Sequence, residues 1–278
     1  FGTLRRTHPG DTETLSRIGE TCFESQRYGR AAEAFAEALE TDPKLHKLRV
    51  WLGASRYADA QPDDALRELE GVPVSSKWHD DSRRLVARIL VEQGQLPKAL
   101  EIFESLLPRR PTDPGLYRDL AHIHTQMGRF DDAVDVLRLG LERMADEPHL
   151  RLHLAALYAQ GGDTHGAIGR VEPLLRANPD HFPSLIFLAR TLAERGERLE
   201  EAERYAEKAQ SLRPNSAEVA ATLGWIHFKR ARWEDALIHL QEARRLAPRS
   251  PDVLEQLSAV HRKLGQQAKA ALTEAQAN

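Results

Sequence analysis

Small and bulky apolar residues return along this chain at a fixed interval. Ala31, Ala65, Ala99, Ala133, Ala167, Ala202, Ala236 and Ala270 follow one another every 34 residues, with one step of 35. The interval divides the chain into eight units: 12–45, 46–79, 80–113, 114–147, 148–181, 182–216, 217–250 and a shortened 251–278. In each, the alanine stands at position 20. Position 8 is always small: Gly19, Gly53, Ala87, Ala121, Ala155, Ala189, Gly224 and Ser258. Position 7 is always branched and apolar, from Ile18 and Leu52 to Leu257, and position 24 is mostly bulky, as in Phe35, Leu69, Phe103, Leu137 and Leu240. Two apolar stripes per unit, separated by polar residues, predict paired antiparallel helices throughout and no β-sheet.

The remaining positions predict where those helices begin, turn and cross. Position 8 of the first helix is expected to meet position 20 of the second, where only small side chains let two backbones approach, with positions 7 and 24 filling the space on either side. Gly94, Gly128, Gly162, Gly196 and Gly265 share position 15, between the helices. A tight turn there often needs positive φ, which glycine adopts without strain. Proline occupies position 32 in five units (Pro43, Pro111, Pro179, Pro214 and Pro248) and ends the second helix. Asp113-Pro114 and Ser250-Pro251 place a capping oxygen before a proline at the first helical position.

Three units depart from the pattern. In unit two, Gly71 and Pro73 cut the second helix short and leave 71–79 as a longer loop. Unit five carries Gly166, Gly169 and Pro173 in its second helix, and the proline predicts a kink. Unit six has one extra residue near Arg198-Leu199, placed in its inter-helix turn. At the chain ends, Phe1, Leu4 and Pro9 fall at positions 24, 27 and 32 of a preceding unit, so 1–11 reads as the tail of another second helix. Helix 267–277 has Glu274 at position 24, and its polar face suits a terminal cap.

This pattern resembles the tetratricopeptide repeat over residues 12–278. Unit one carries the family's signature as Leu15, Ile18-Gly19, Tyr28, Ala31, Phe35, Ala38 and Pro43. Unit seven carries it as Leu223-Gly224, Trp233, Ala236, Leu240, Ala243 and Pro248. The resemblance implies an all-α, right-handed superhelical solenoid of antiparallel helix pairs that binds protein segments in its concave groove. By that resemblance, groove residues come from first-helix positions 2, 5, 9, 12 and 13. Units one and two then offer Phe23, Val50 and Tyr57. Units three and four offer Arg84, Arg88, Arg118 and His122, with Arg190 further along, and unit seven offers Trp225 and Phe228. The four residues of units three and four are expected to form one basic patch suited to an acidic or C-terminal peptide segment. A subclass of the family grips acidic chaperone tails through Lys, Asn and Arg in first helices, but Asn178, Asn215 and Asn278 all lie outside them.

Composition narrows the function without naming it. Hydrophobic residues make up 41% of the chain, enough for a folded core, and the formal net charge of -3 lacks the basic excess of a nucleic-acid binder. Cys22 is the only cysteine, which excludes an internal disulfide and a zinc ribbon. No apolar run of about 18 residues spans a membrane. Cytoplasm and bacterial periplasm are both compatible. No catalytic motif is present, so a non-catalytic scaffold or adaptor without cofactor is the leading reading. Two other readings stay open: a recruiting or regulatory arm of a larger enzyme, and a bacterial envelope protein for polysaccharide export or pilus assembly. The acidic doublets Asp63-Asp64, Asp131-Asp132, Glu200-Glu201 and Glu234-Asp235 share one register, the first turn of a second helix, where they complement the helix dipole. His149 and His153, four apart on one helix, have metal-like spacing, with His122 expected on the neighbouring helix, but no carboxylate or thiolate is placed to complete the set, so no metal is assigned.

Overall fold

The computed structural model describes residues 11–277. Phe1, Leu4 and Pro9, on which the expected preceding tail rests, lie outside the described residues. Among the described residues the chain forms sixteen α-helices and no strand. One compact half ends at Met144 and the other begins at Ala145. The first holds α1 (Thr12–Glu24), α2 (Tyr28–Thr41), α3 (His46–Ala58), α4 (Pro62–Glu70), α5 (His79–Glu92), α6 (Leu96–Leu106), α7 (Pro114–Gln126) and α8 (Phe130–Arg143). The second holds α9 (Pro148–Gln160), α10 (Thr164–Ala177), α11 (Phe182–Arg195), α12 (Leu199–Leu212), α13 (Ala217–Lys229), α14 (Trp233–Leu246), α15 (Pro251–Lys263) and α16 (Gln267–Ala277).

Each odd-numbered helix packs on the helix that follows it. A short turn between two packed helices forces them antiparallel, and one turn geometry recurs in all eight units. The residue at position 15 is left-handed each time: Gln26, Ala60, Gly94, Gly128, Gly162, Gly196, Ala231 and Gly265, with φ between 58° and 88°. The next N–H reaches back to the carbonyl at position 11, as in Arg27 to Cys22 and Gln95 to Leu90, both 2.8 Å. This six-to-one bond satisfies a carbonyl left open at the helix end and requires the left-handed residue before it. Gln26, Ala60 and Ala231 hold that conformation at a side-chain penalty of about 1–2 kcal/mol. Ala60→Gly and Ala231→Gly are therefore expected to stabilise by about 0.5–1 kcal/mol each, after allowing for the freer unfolded glycine. The check is a higher urea midpoint at unchanged slope.

The position-20 alanines are sealed: seven are 0% exposed and Ala270 is 2%. Position 8 is covered differently from the sequence expectation. A Cβ on Gly53 would fall 2.6 Å from Leu69 Cγ, and one on Gly224 would fall 2.6 Å from Leu240 Cγ. At Gly19 it would run into the Phe35 ring. The bulky side chain at position 24 thus lies directly over position 8, rather than beside it. The residue at 8 must be small because a Leu or Phe occupies that space, and the position-20 backbone is the second neighbour, with Ala236 O 3.2 Å from the Gly224 site.

The departures take shape as follows. Helix α4 stops at Glu70, and 71–78 is a loop, one residue shorter than expected. It is pinned at both ends. Val72 is buried, His79 Nδ1 lies 3.1 Å from the Val72 carbonyl, and the buried Ser82 hydroxyl donates to Leu69 O at 2.6 Å. Helix α10 runs unbroken through Pro173. In unit six the turn gains a second left-handed residue, Arg198 at φ 50°. At α16, Ala270 and Thr273 face inward, Leu272 is exposed, and Glu274 pairs with Arg262 of α15. The acidic doublets of α4, α8, α12 and α14 all stand in the first turn.

Candidate functional site

In the N-terminal half the aromatic candidates are built into the structure. Phe23, half-buried on α1, meets Tyr28 edge-on at 5.2 Å and Trp51 at 5.1 Å between ring centroids. Tyr57 on α3 packs with Val50 against the core of units two to four. Burial, then a hydrogen bond with Glu92, pushes its phenol up to about 12. Its hydroxyl stays protonated and polar under ordinary conditions, but it is already engaged.

Two of the four basic candidates, Arg84 and Arg88, share a carboxylate that the sequence reading leaves out. Asp119, on α7, accepts from Arg84 Nε at 3.0 Å and from Arg88 Nη2 at 3.1 Å. Arg84 also donates to Asp113 at 3.0 Å, and its side chain is only 20% exposed. A guanidinium held by two aspartates has most of its donors committed. Arg118 is exposed and without an ion-pair partner among the described residues, while exposed His122 shares a 2.9 Å contact with Gln126. So Arg84 and Arg88 serve the seam between units three and four, through Asp119. Arg110, reaching Asp81 at 2.6 Å, adds a latch within unit three.

The C-terminal half holds an open groove. Helix α11 also touches α13, and α13 also touches α15, so three first helices lie in a row. Between them runs a cavity of about 840 Å³. Its floor is small and apolar, with Ala193, Ala221, Ala259, Val253 and one wall formed by Trp225. Trp225 is fixed in place: it stacks on Phe228 at 4.7 Å with 4° between planes, and the Lys229 ammonium lies 5.1 Å from its ring. Phe228 in turn meets Trp233 edge-on at 5.1 Å. Phe228 therefore stands behind Trp225 and supports it.

The rim is polar and negative. Glu194, Glu218, Asp252 and Glu255 are exposed along it, against one guanidinium, Arg190. Arg190 is itself 3.7 Å from Glu194. The amide oxygen of Gln256 is buried at the groove without a hydrogen-bond partner. A smaller notch of about 330 Å³ shares Arg190 and Glu218 with the groove and is walled by Leu152, Phe182, Ile186 and Phe187. The Arg213 guanidinium lies 4.0 Å from the Phe182 ring centre and anchors it. Arg190, Ala193, Glu194, Glu218, Ala221, Trp225, Asp252, Glu255 and Ala259 stand at first-helix positions 2, 5, 9, 12 or 13, while Val253 and Gln256 stand at positions 3 and 6.

Other chemistry is sparse. Among the described residues no three His, Cys, Asp or Glu side chains are grouped to hold a metal ion. His149 lies close enough to His181 to help burial lower the latter's pKa, and His181 contacts Ser184 Oγ at 2.7 Å. No helix among the described residues is long and apolar enough to cross a membrane.

Comparison with known proteins agrees with this architecture. Sequence models described as tetratricopeptide repeat match residues 12–45, 90–161 and 152–217. Intraflagellar transport protein 70A of Bos taurus is 27% identical over 114 residues, 41% of this chain but only 17% of that protein's length. Among solved structures, a tetratricopeptide repeat protein from Parabacteroides merdae superposes with TM-score 0.62 at 15% identity, covering 96% of this chain and 91% of that one. Yeast Tom70 superposes with TM-score 0.72 at 14% identity, covering 97% of this chain and 60% of that one. At such identities the structural likeness bears on the fold alone.

Proposed function

The chain is a tetratricopeptide-repeat protein, and from that premise we propose that it is a non-catalytic scaffold or adaptor that holds segments of other proteins against the faces of its first helices. The observation that carries this reading is the groove across α11, α13 and α15: about 840 Å³, open, with a floor of alanines and a braced tryptophan. Such a shape suits an extended or helical segment. Small floor residues let a backbone approach, a rigid aromatic wall supplies contact area at little entropic cost, and rim charges set orientation. No nucleophile-base pair or metal cluster lies in it, so recognition rather than reaction is the role assigned. The acidic rim supports a protein partner over nucleic acid, whose phosphates it would repel.

Site-directed photo-cross-linking tests the reading. A photoreactive residue at Glu255, on the groove rim, is expected to form discrete adducts with host proteins. The same residue at Ile238, 64% exposed on α14 and outside the groove, should form few. Equal labelling from both positions, or adducts only from Ile238, overturns the groove assignment.

A further inference from the structure

We propose that the groove across α11, α13 and α15 takes a basic segment, one carrying lysine or arginine beside an apolar side chain. This deepens the scaffold reading and rests on it. It reverses the charge expected from the arginines of units three and four.

The case is one of complementarity. Four exposed carboxylates line the groove against a single guanidinium, already beside Glu194, while the nearby Lys229 ammonium is engaged with the Trp225 ring and the Glu194 carbonyl. Glu218, Asp252 and Glu255 have no ion-pair partner among the described residues. These three carboxylates accept hydrogen bonds and donate none, so the matching ligand must donate them. Lysine and arginine side chains are donors only. An acidic segment would bring like charges together.

The rest of the surface says what accompanies the charge. The notch beside Phe182 and Ile186 opens next to Arg190 and Glu218, so an apolar side chain can seat there while neighbouring basic residues meet the rim. The floor alanines and the braced Trp225 face the stem of a long side chain, and lysine and arginine carry such stems below their charged heads. The arginines of units three and four offer no equal site for the opposite ligand, since Arg84 and Arg88 are held by Asp113 and Asp119.

Fluorescence anisotropy with labelled synthetic peptides tests this. One peptide alternates lysine with leucine, a second alternates glutamate with leucine, and a third alternates lysine with serine. The lysine–leucine peptide is expected to bind tightest, the lysine–serine peptide more weakly, and the glutamate–leucine peptide not measurably. Binding should weaken with salt. The triple variant Glu218→Lys, Asp252→Lys, Glu255→Lys should lose about tenfold in affinity, given the modest contribution of each exposed pair. A control with the same charge change elsewhere, Glu40→Lys, Glu70→Lys, Glu101→Lys, should stay near the parent. Thermal melts verify that both variants fold. If the glutamate peptide binds as well as the lysine peptide, the inference is overturned and segment binding stands. If both triples weaken binding equally, the attraction is only to net charge and the groove assignment falls. If no peptide binds, the basic-segment inference falls, while the photo-cross-linking result decides the scaffold reading separately.

Discussion

Phe103→Ala is expected to destabilise the N-terminal half by about 3–5 kcal/mol, the usual range for removing a buried ring. The ring is 1% exposed and lies in a cluster with Ala87, Leu90, Leu116 and Leu120, which joins units two to four. Those neighbours have little freedom to close the void. Each helix pair is held by its three-residue turn, and units three and four are latched by Arg84 and Arg88 to Asp119. Domain stabilities are only about 5–15 kcal/mol, so the loss is large. In a repeat array it should appear first as early melting of the units that share the ring. Denaturant titration by circular dichroism, with hydrogen exchange to locate the loss, is the measurement. A shift below about 1 kcal/mol would show that Phe103 does not fill the core.

Ala133→Leu acts in the opposite sense, by adding volume where none is free. Ala133 stands at position 20 of α8 and is 0% exposed. Helix propensity hardly separates alanine from leucine, so the change reads packing almost alone. Overpacking of this kind costs about 1–3 kcal/mol. Ala271→Leu is the control: it lies on α16, fully outward, and should stay within about 0.5 kcal/mol of the parent. Equal effects from the two would mean that position 20 is not the sealed crossing described above.

The fold was legible because its signals repeat. One alanine at position 20 proves nothing; eight of them in register, with a small residue at position 8 and mostly a bulky one at position 24, define two helices and their contact. What the pattern did not contain was the partner of each small residue. Position 24 lies over position 8 because side chains lean toward the helix N-terminus, a direction that spacing alone does not reveal. The turns were read from five glycines, yet Gln26, Ala60 and Ala231 adopt the same left-handed geometry because the six-to-one bond dictates it.

Single residues of the candidate groove are legible in the sequence, whereas the charge balance around them depends on neighbours from other units. Trp225 and Arg190 do line the groove, and Phe228 braces Trp225. Asp119 stands at position 6, outside the first-helix positions that the resemblance assigns to the groove, and ion pairs between neighbouring units appear in sequence only as residues about one period apart. A second cross-helix pairing was also missed. Position 11 faces position 19 within a unit, joining Arg56 to Asp64 at 3.3 Å and placing His124 Nδ1 3.7 Å from Asp132. Its signal was present: basic or imidazole side chains at 11 accompany aspartate at 19 in units two and four, while unit three has Leu90 and Lys98.

The left-handed turn has a consequence for how such a chain can change length. A residue added inside either helix would rotate everything beyond it by about 100°, since about 3.6 residues make one revolution, and the apolar stripe would swing off its partner. A residue added near the turn leaves both stripes in phase. Unit six shows this tolerance: one residue longer than its neighbours, it carries a second left-handed residue at Arg198, yet Ala202 and Ala206 are still fully buried. The turns are thus expansion joints of the array, the places where new sequence can be grafted while the helices keep time.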